Sequence, residues 1–370
     1  MILKSLEVIY VSGTWGKNIE LSIFGESHGE GIGITINGIE PGIELDLDYI
    51  KEEMSRRAPG QNDLTTPRKE KDEFHILSGF FNGRTTGTPL TMIIYNTNQH
   101  SKDYSKTKNL MRPSHGDFTG YVKYKGFNDY RGGGHFSGRI TAPLVFAGAI
   151  CKEILKEKGI VIGSHIKSIK NIEDDDFSDE NLCKETLENL RKESFPVLNS
   201  VSGEKMKEII RNARSMKDSV GGVIECAAIN LPTGIGDPFF DSVESTLSSL
   251  LFSIPGVKGV EFGKGFDITK LYGSEANDEY DMNNGKVTTT TNNNGGILGG
   301  ITSGMPMIFR VAMKPTPSIG KMQKTIDIET MENSTIEIVG RHDPCIVVRA
   351  VPVIEAAAAI AILELIKEME

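Results

Sequence analysis

Two of the seven histidines sit in the same kind of frame. His28 lies in Gly25-Glu26-Ser27-His28-Gly29, a glycine-bounded turn after an alternating apolar run, and His115 lies in Arg112-Pro113-Ser114-His115-Gly116-Asp117. An imidazole titrates near neutral pH and can hand a proton to a leaving oxygen or take one from a reacting group. Each histidine taken alone is either such an acid–base group or a turn residue satisfying backbone; the repetition of the frame favours chemistry. Pro113 stiffens the second turn, and Asp117 is available to orient its imidazole. A third cluster, Gly340-Arg341-His342-Asp343-Pro344, either caps the segment that follows or offers Asp343 as a base.

Cations and glycines accompany these groups. Arg56 and Arg57 precede Ala58-Pro59-Gly60, where their forks match phosphate or carboxylate oxygens, or else complement a helix C-terminus. The run Asp129-Tyr130-Arg131-Gly132-Gly133-Gly134-His135-Phe136-Ser137-Gly138-Arg139 has three consecutive glycines, which cost conformational entropy on folding. It reads either as a flexible loop or as a nest of backbone N–H groups for a phosphate, leading into a helix at Pro143. Neither a Walker loop nor a dinucleotide fingerprint is present. Asn292-Asn293-Asn294-Gly295-Gly296 and Lys314-Pro315-Thr316-Pro317-Ser318 add amides, an ammonium and hydroxyls on glycine- or proline-rich turns. Together these residues suit a phosphorylated small molecule worked on by His28 and His115.

The elements that must position them follow from periodicity and punctuation. Residues 19–24 and 32–36 alternate as two strands flanking the His28 turn, and 74–81 and 88–95 read as two more. Leu47, Ile50 and Met54 fall at helical spacing up to Pro59. Pro143 opens a helix that Gly159 ends, 161–169 is a strand, and the charged stretch 174–217 reads as helix. Strands resume from Val220, a helix lies near 241–252, and 351–370 is a helix apolar around most of its circumference, hence buried. No linker divides the chain, so one intimately built α+β unit is expected. Acidic residues outnumber Lys plus Arg by 50 to 41, for a net charge of −9, which speaks against a nucleic-acid partner. Four scattered cysteines suit a reducing compartment, no metal-ligand cluster is evident, and the start lacks a basic, cleavable leader. The longest apolar run, 356–363, is far short of the roughly 20 residues of a membrane helix, so the expectation is a cytoplasmic protein with no membrane partner.

The assembled motifs resemble chorismate synthase almost end to end: GESHG, RPSHGD, DYRGGG, DSVGG, SIPGVKGVEFGKGF, GSEANDE, NNNGGILGGITSG, KPTPSI and GRHDPCIVVRAVPVIEA, in the family order. The resemblance implies conversion of 5-enolpyruvylshikimate 3-phosphate into chorismate and phosphate, an anti-1,4-elimination. Reduced FMN is required without net redox change, and NADPH can act as an indirect reductant. It implies a β-α-β sandwich, helices between two four-stranded antiparallel sheets in a single large domain, assembled as a homotetramer, with 1–12 an N-terminal extension ahead of a domain over 13–370. By the same resemblance His28 protonates the departing phosphate, His115 sits against the flavin, and Asp343 helps accept the substrate proton. Arg57 belongs to the substrate or NADPH-facing anion site, with Arg56 and Arg139 as further anion holders. Flavin contacts fall on His135, Phe136, Ser137, Gly299, Lys314, Pro315, Thr316, Pro317, Ser318 and Arg341, with Ile254-Pro255-Gly256 nearby. The chain departs from the family where His135-Phe136-Ser137 replaces the common Arg-Ser-Ser, where RPSHGD replaces RPGHAD, and at Ile140, Asp63 and Pro317. Two rivals remain: a phosphatase or mutase using His28 or His342 as nucleophile, and a flavin-binding oligomer without turnover.

Overall fold

The computed structural model describes residues 13–60, 64–65, 72–96, 108–338 and 342–369. Its main helices are α1 (Leu47–Arg57), α2 (Asp117–Lys123), α3 (Thr141–Glu157), α4 (Lys184–Lys192), α5 (Ser200–Ser215), α6 (Val243–Ser253) and α7 (Val347–Met369). Contacts within the chain gather into two compact units interleaved in sequence. One holds Met1–Glu44, Asp72–Pro143 and Gly320–Gly340; the other holds Leu45–Lys71, Leu144–Ile319 and Arg341–Glu370. Among the described residues no helix is long and apolar enough to cross a membrane.

The first unit is built on strands β1 (Thr14–Trp15), β2 (Glu20–Gly25), β3 (Gly31–Asn37), β4 (Phe74–Ser78) and β5 (Leu90–Tyr95). They pair antiparallel in the order β1-β2-β3-β5-β4. Ile32, Ile34 and Ile36 alternate into its core as the period-2 pattern requires. The β2–β3 turn carries His28, and Gly25 closes β2 at φ +93°, where an added Cβ would lie 2.2 Å from the Gly31 carbonyl oxygen. The expected strand over 74–81 is interrupted at Gly79, whose φ of +78° turns the chain against Leu90.

The second unit has strands β6 (Val161–Ile169), β7 (Ile172–Glu173), β8 (Gly222–Ile229), β9 (Val257–Phe262) and β10 (Met307–Met313), antiparallel in the order β9-β10-β8-β6-β7. Each sheet thus has four long strands plus a two-residue edge strand. Helix α7 is buried from Val347 to Ile366 apart from Arg349 and packs on β6, β8, α1 and α6, as its apolar circumference predicts. It begins four residues before the expected start and tolerates Pro352 near its N-terminal end. Gly148 of α3 lets that helix pass close to α7, since a Cβ there would lie 2.2 Å from the Ala356 Cβ.

The stretch 174–217, read as continuously helical, is two helices. Asp174 ends the pattern by accepting the backbone N–H groups of Leu198 and Asn199, and Asn199 caps α5 through its side chain. Helix α1 begins with the Asp46 side chain accepting from the Asp48 and Tyr49 N–H groups, both at 3.0 Å.

Candidate functional site

In the first unit the glycine triplet organises the histidines. Gly132, Gly133 and Gly134 have φ of +61°, +95° and +52°, a succession that side chains rarely adopt. The Gly134 carbonyl accepts the Ser27 N–H at 3.1 Å, which ties the His28 turn to the triplet. A Cβ at Gly132 would lie 2.0 Å from His28 Cε1, so only glycine leaves the imidazole its place. His28 is buried, with Nδ1 at 3.0 Å from the Ser27 hydroxyl, which itself donates to the Arg131 carbonyl oxygen at 3.5 Å. Nδ1 of His28 is thus engaged with Ser27.

Arg131 and Asp129 pair beside it at 2.8 Å. Burial works against the Asp129 carboxylate, but Arg131, with His28 nearby, holds it below the ordinary carboxylate range. The same device recurs at the second histidine. Arg112 grips Asp117 with Nε at 2.7 Å and Nη2 at 2.8 Å, and its own N–H donates to the same carboxylate. Burial again opposes the charge on Asp117, and Arg112 and His115 outweigh it. Asp117 was a candidate to orient the imidazole; its two oxygens go to Arg112 instead, while His115 Nδ1 donates to the Pro113 carbonyl oxygen at 3.1 Å.

His135 and Phe136 extend from the triplet. His135 Nδ1 donates to the Gly25 carbonyl oxygen at 2.9 Å, and the Phe136 ring lies against Gly116, Gly120 and Tyr124. The Ser137 hydroxyl accepts the Arg139 N–H at 3.3 Å. Arg139, expected among the anion holders, directs Nε to Asn96 and Nη1 to Asp72, both at 2.8 Å, so its fork braces its own unit.

The second unit holds the rest. Arg56, another expected anion holder, places Nη1 2.6 Å and Nη2 2.9 Å from the two Glu355 oxygens and also meets Glu53. Lys152, Arg191 and Ser164 complete this buried set. Burial opposes the charge on Glu355, and Arg56 and Lys152 nonetheless hold it well below the ordinary range. Arg56 is therefore a structural cation. Arg57, one residue on, is buried at the end of α1, and its carbonyl oxygen accepts Arg349 Nε at 3.0 Å. Arg349 also reaches Asp343 at 2.5 Å, so a single guanidinium connects two residues 286 positions apart.

Lys314 follows β10, and its N–H donates to the Gly256 carbonyl oxygen at 2.9 Å. Burial, then repulsion from Lys258, lowers its pKa. The Thr316 hydroxyl oxygen is buried and has no hydrogen-bond partner among the described residues. At Gly299, φ +63°, an added Cβ would meet nothing within 4 Å. A crowded ammonium, an unsatisfied hydroxyl and an open glycine fit an anionic, ring-bearing cofactor. Ser318 is buried and Pro315 exposed on the same loop, beside Pro317. The asparagines of 292–294, by contrast, serve the loop itself: Asn292 bonds Gly296 and Pro306, and Asn294 bonds Asp278. Arg341 lies outside the described residues.

Arg112, Arg131 and Arg349 stand in the quoted motifs but received no role. An Arg with an Asp two or five positions away was the available signal for the first two; nothing local marked Arg349.

The family profile described as "Chorismate synthase" matches residues 19–366. A protein of Dehalococcoides mccartyi named "Chorismate synthase" is 44% identical over 355 residues, 96% of each chain. One of that name from Methanobrevibacter smithii is 45% identical over 354 residues, again 96% of each. The solved structure titled "Crystal Structure of Chorismate Synthase" superposes with a TM-score of 0.75 at 30% identity, covering 96% of this chain and 93% of that one.

Proposed function

The chain belongs to the chorismate synthase family, and from that premise we propose how its residues divide the reaction. The activity is that of a carbon–oxygen lyase of aromatic biosynthesis: 5-enolpyruvylshikimate 3-phosphate loses phosphate and a C–H proton in an anti-1,4 sense and becomes chorismate. The C–O electron pair leaves with the phosphate and the C–H pair becomes part of the new double bond, so the sum is redox-neutral.

His28 Nε2 donates its proton to the departing phosphate oxygen. The observation that carries this is the seating of His28 against Gly132, beside the Arg131–Asp129 pair. Arg57, Arg56 and Arg139 are the candidate anion holders, joined by Arg112 and Arg131; of these, Arg56, Arg139, Arg112 and Arg131 are each also paired with a carboxylate of the chain. Reduced FMN, when bound, supplies the transient electron donation that makes an unactivated C–H acidic enough to leave. Lys314, Thr316, Pro315, Pro317, Ser318 and Gly299 would hold it, with Arg341, His135, Phe136 and Ser137 as further contacts. His115 Nε2 holds a proton on the flavin side, and the Asp343 carboxylate, fixed by Arg349, assists acceptance of the proton that leaves carbon.

The wider reading is a β-α-β sandwich with the helices between the two sheets. It includes a family domain over 13–370 preceded by a short extension, a cytoplasmic location, and a homotetramer. Exposed Phe239, Phe240, Phe266 and Tyr272 on the second unit support association. NADPH is read as an indirect reductant of the flavin.

The test is anaerobic mixing of protein, reduced FMN and the enolpyruvyl phosphate, following chorismate absorbance and free phosphate together. Equimolar appearance of both, dependent on flavin, is expected. Phosphate released at the same rate without flavin, or flavin bound without turnover, would overturn it.

A further inference from the structure

We propose that Phe136 is a positioning residue that sets where His115 stands relative to the glycine triplet; this rests on the reading of His115 given above. Helix α2 starts directly after His115 and presents Gly116, Gly120 and Tyr124 at i, i+4 and i+8, one face of the helix. The Phe136 ring lies along that face. A Cβ at Gly116 would be 3.2 Å from Phe136 Cγ, one at Gly120 would be 2.7 Å from Cε2, and the Tyr124 ring centroid is 6.2 Å away. A glycine inside a helix weakens it, so buried Gly120 needs a packing reason, and the ring supplies one.

Phe136 is also rigidly tied at its other end. It closes the segment Arg131–Phe136, whose Gly132 abuts His28 and whose Gly134 carbonyl accepts the Ser27 N–H. Ring and notch therefore join the loop of one histidine to the loop of the other. The His115 loop is held as well by the Arg112–Asp117 pair, whose Arg112 Nη2 would stand 3.6 Å from a Cβ at Gly133, and by the turn bond from His115 to Pro113. The small residues at 116 and 120 are what admit the aromatic side chain.

The experiment is a mutant cycle in the anaerobic assay, with KM and kcat determined separately and folding checked by thermal unfolding. Phe136→Ala is expected to lower kcat about 10- to 100-fold, as misplacement of a reacting group by about an ångström does, with KM for the enolpyruvyl phosphate changed less than about threefold. Phe136→Leu, which refills most of the notch, should recover much of that loss. Gly120→Ala, which pushes the ring away, should reproduce the defect. In a His115→Ala background the loss from Phe136→Ala should shrink well below its size in wild type, because most of it acts through that imidazole and only the ring's own flavin contact remains. Wild-type kcat in folded Phe136→Ala, with His115→Ala impaired, would overturn the positioning role alone, as would full additivity with His115→Ala. Wild-type kcat in His115→Ala would overturn the underlying reading as well.

Discussion

Replacing Gly132 by alanine puts one methyl group where the structure leaves His28 no alternative. The new Cβ would stand 2.0 Å from Cε1, 2.1 Å from Nδ1 and 3.0 Å from the Ser27 hydroxyl oxygen, whereas ordinary contacts begin at 3.4 Å. The imidazole must therefore retreat by more than about 1 Å, and its bond to Ser27 goes with it. Misplacing a catalytic group by that distance costs on the order of 10²-fold in rate. The backbone penalty is smaller: alanine at φ +61° is strained by about 1–2 kcal/mol, which leaves a domain of this size folded. So kcat should fall about a hundredfold while thermal unfolding shifts by only a few degrees. The assay is anaerobic turnover with reduced FMN, read as chorismate and phosphate. Gly132→Ala in a His28→Ala background should be no slower than His28→Ala itself. A folded Gly132→Ala variant with kcat within about threefold of wild type would refute the assignment of proton donation to His28 in this position.

His28→Ala and His115→Ala should each lower turnover by about 10²–10⁴-fold, and wild-type rates in either would remove that residue from the chemistry. Glu355→Ala should destabilise the protein by about 3 kcal/mol, because Arg56 and Lys152 would be left with Glu53 alone as their carboxylate in a buried site; an unchanged urea midpoint would contradict the network. Burial disfavours the charge on His165, but its bonds to Asp174 and Glu225, both 3.0 Å, raise its pKa, so its stabilisation is full below the ordinary 6.5 and is lost as pH rises through the raised value, while the depressed Asp174 and Glu225 lose theirs only as pH falls below their ordinary 3.8 and 4.5. Melting temperatures of wild type and His165→Gln should therefore converge at alkaline pH, and a gap equal on both sides of neutrality would contradict this.

The parts of the molecule legible in the sequence are those governed by short-range rules. Alternation placed β2 and β3, helical spacing and a terminal Pro-Gly placed α1, and three glycines in a row marked a segment that is either a loose loop or a nest, which the structure shows to have three successive positive φ values. What escaped was decided by partners far away in the chain. Arg56 and Arg57 are indistinguishable by type and position, yet a turn of about 100° per residue sends them in different directions. Only the fold could say that Glu355 and Lys152 wait on the side of Arg56. Asp117 next to His115 invited a carboxylate–imidazole pairing, but the five-residue return to Arg112 offers a bidentate fork, the stronger match for a carboxylate. The helix read across 174–217 failed because Asp174 finds two backbone N–H donors at 198 and 199, which no local pattern records.

The buried charges of the second unit bear on the site for a related reason. Glu53, Arg56, Lys152, Arg191 and Glu355 satisfy one another, and such a set is seldom a source of net stability. Its consequence is geometric. Glu53 and Arg56 lie on the last turns of α1, and Glu355 lies on α7, so the network pins the end of one helix to the other. The last residue of α1 is Arg57, whose carbonyl is gripped by Arg349, two residues inside α7, and Arg349 also holds Asp343. The arginine proposed to hold an anion and the acidic residue proposed for proton acceptance thus share one mount. Reading Arg56 as a structural cation therefore does not remove it from the function; it explains why the arginine that follows it has a fixed place from which to act.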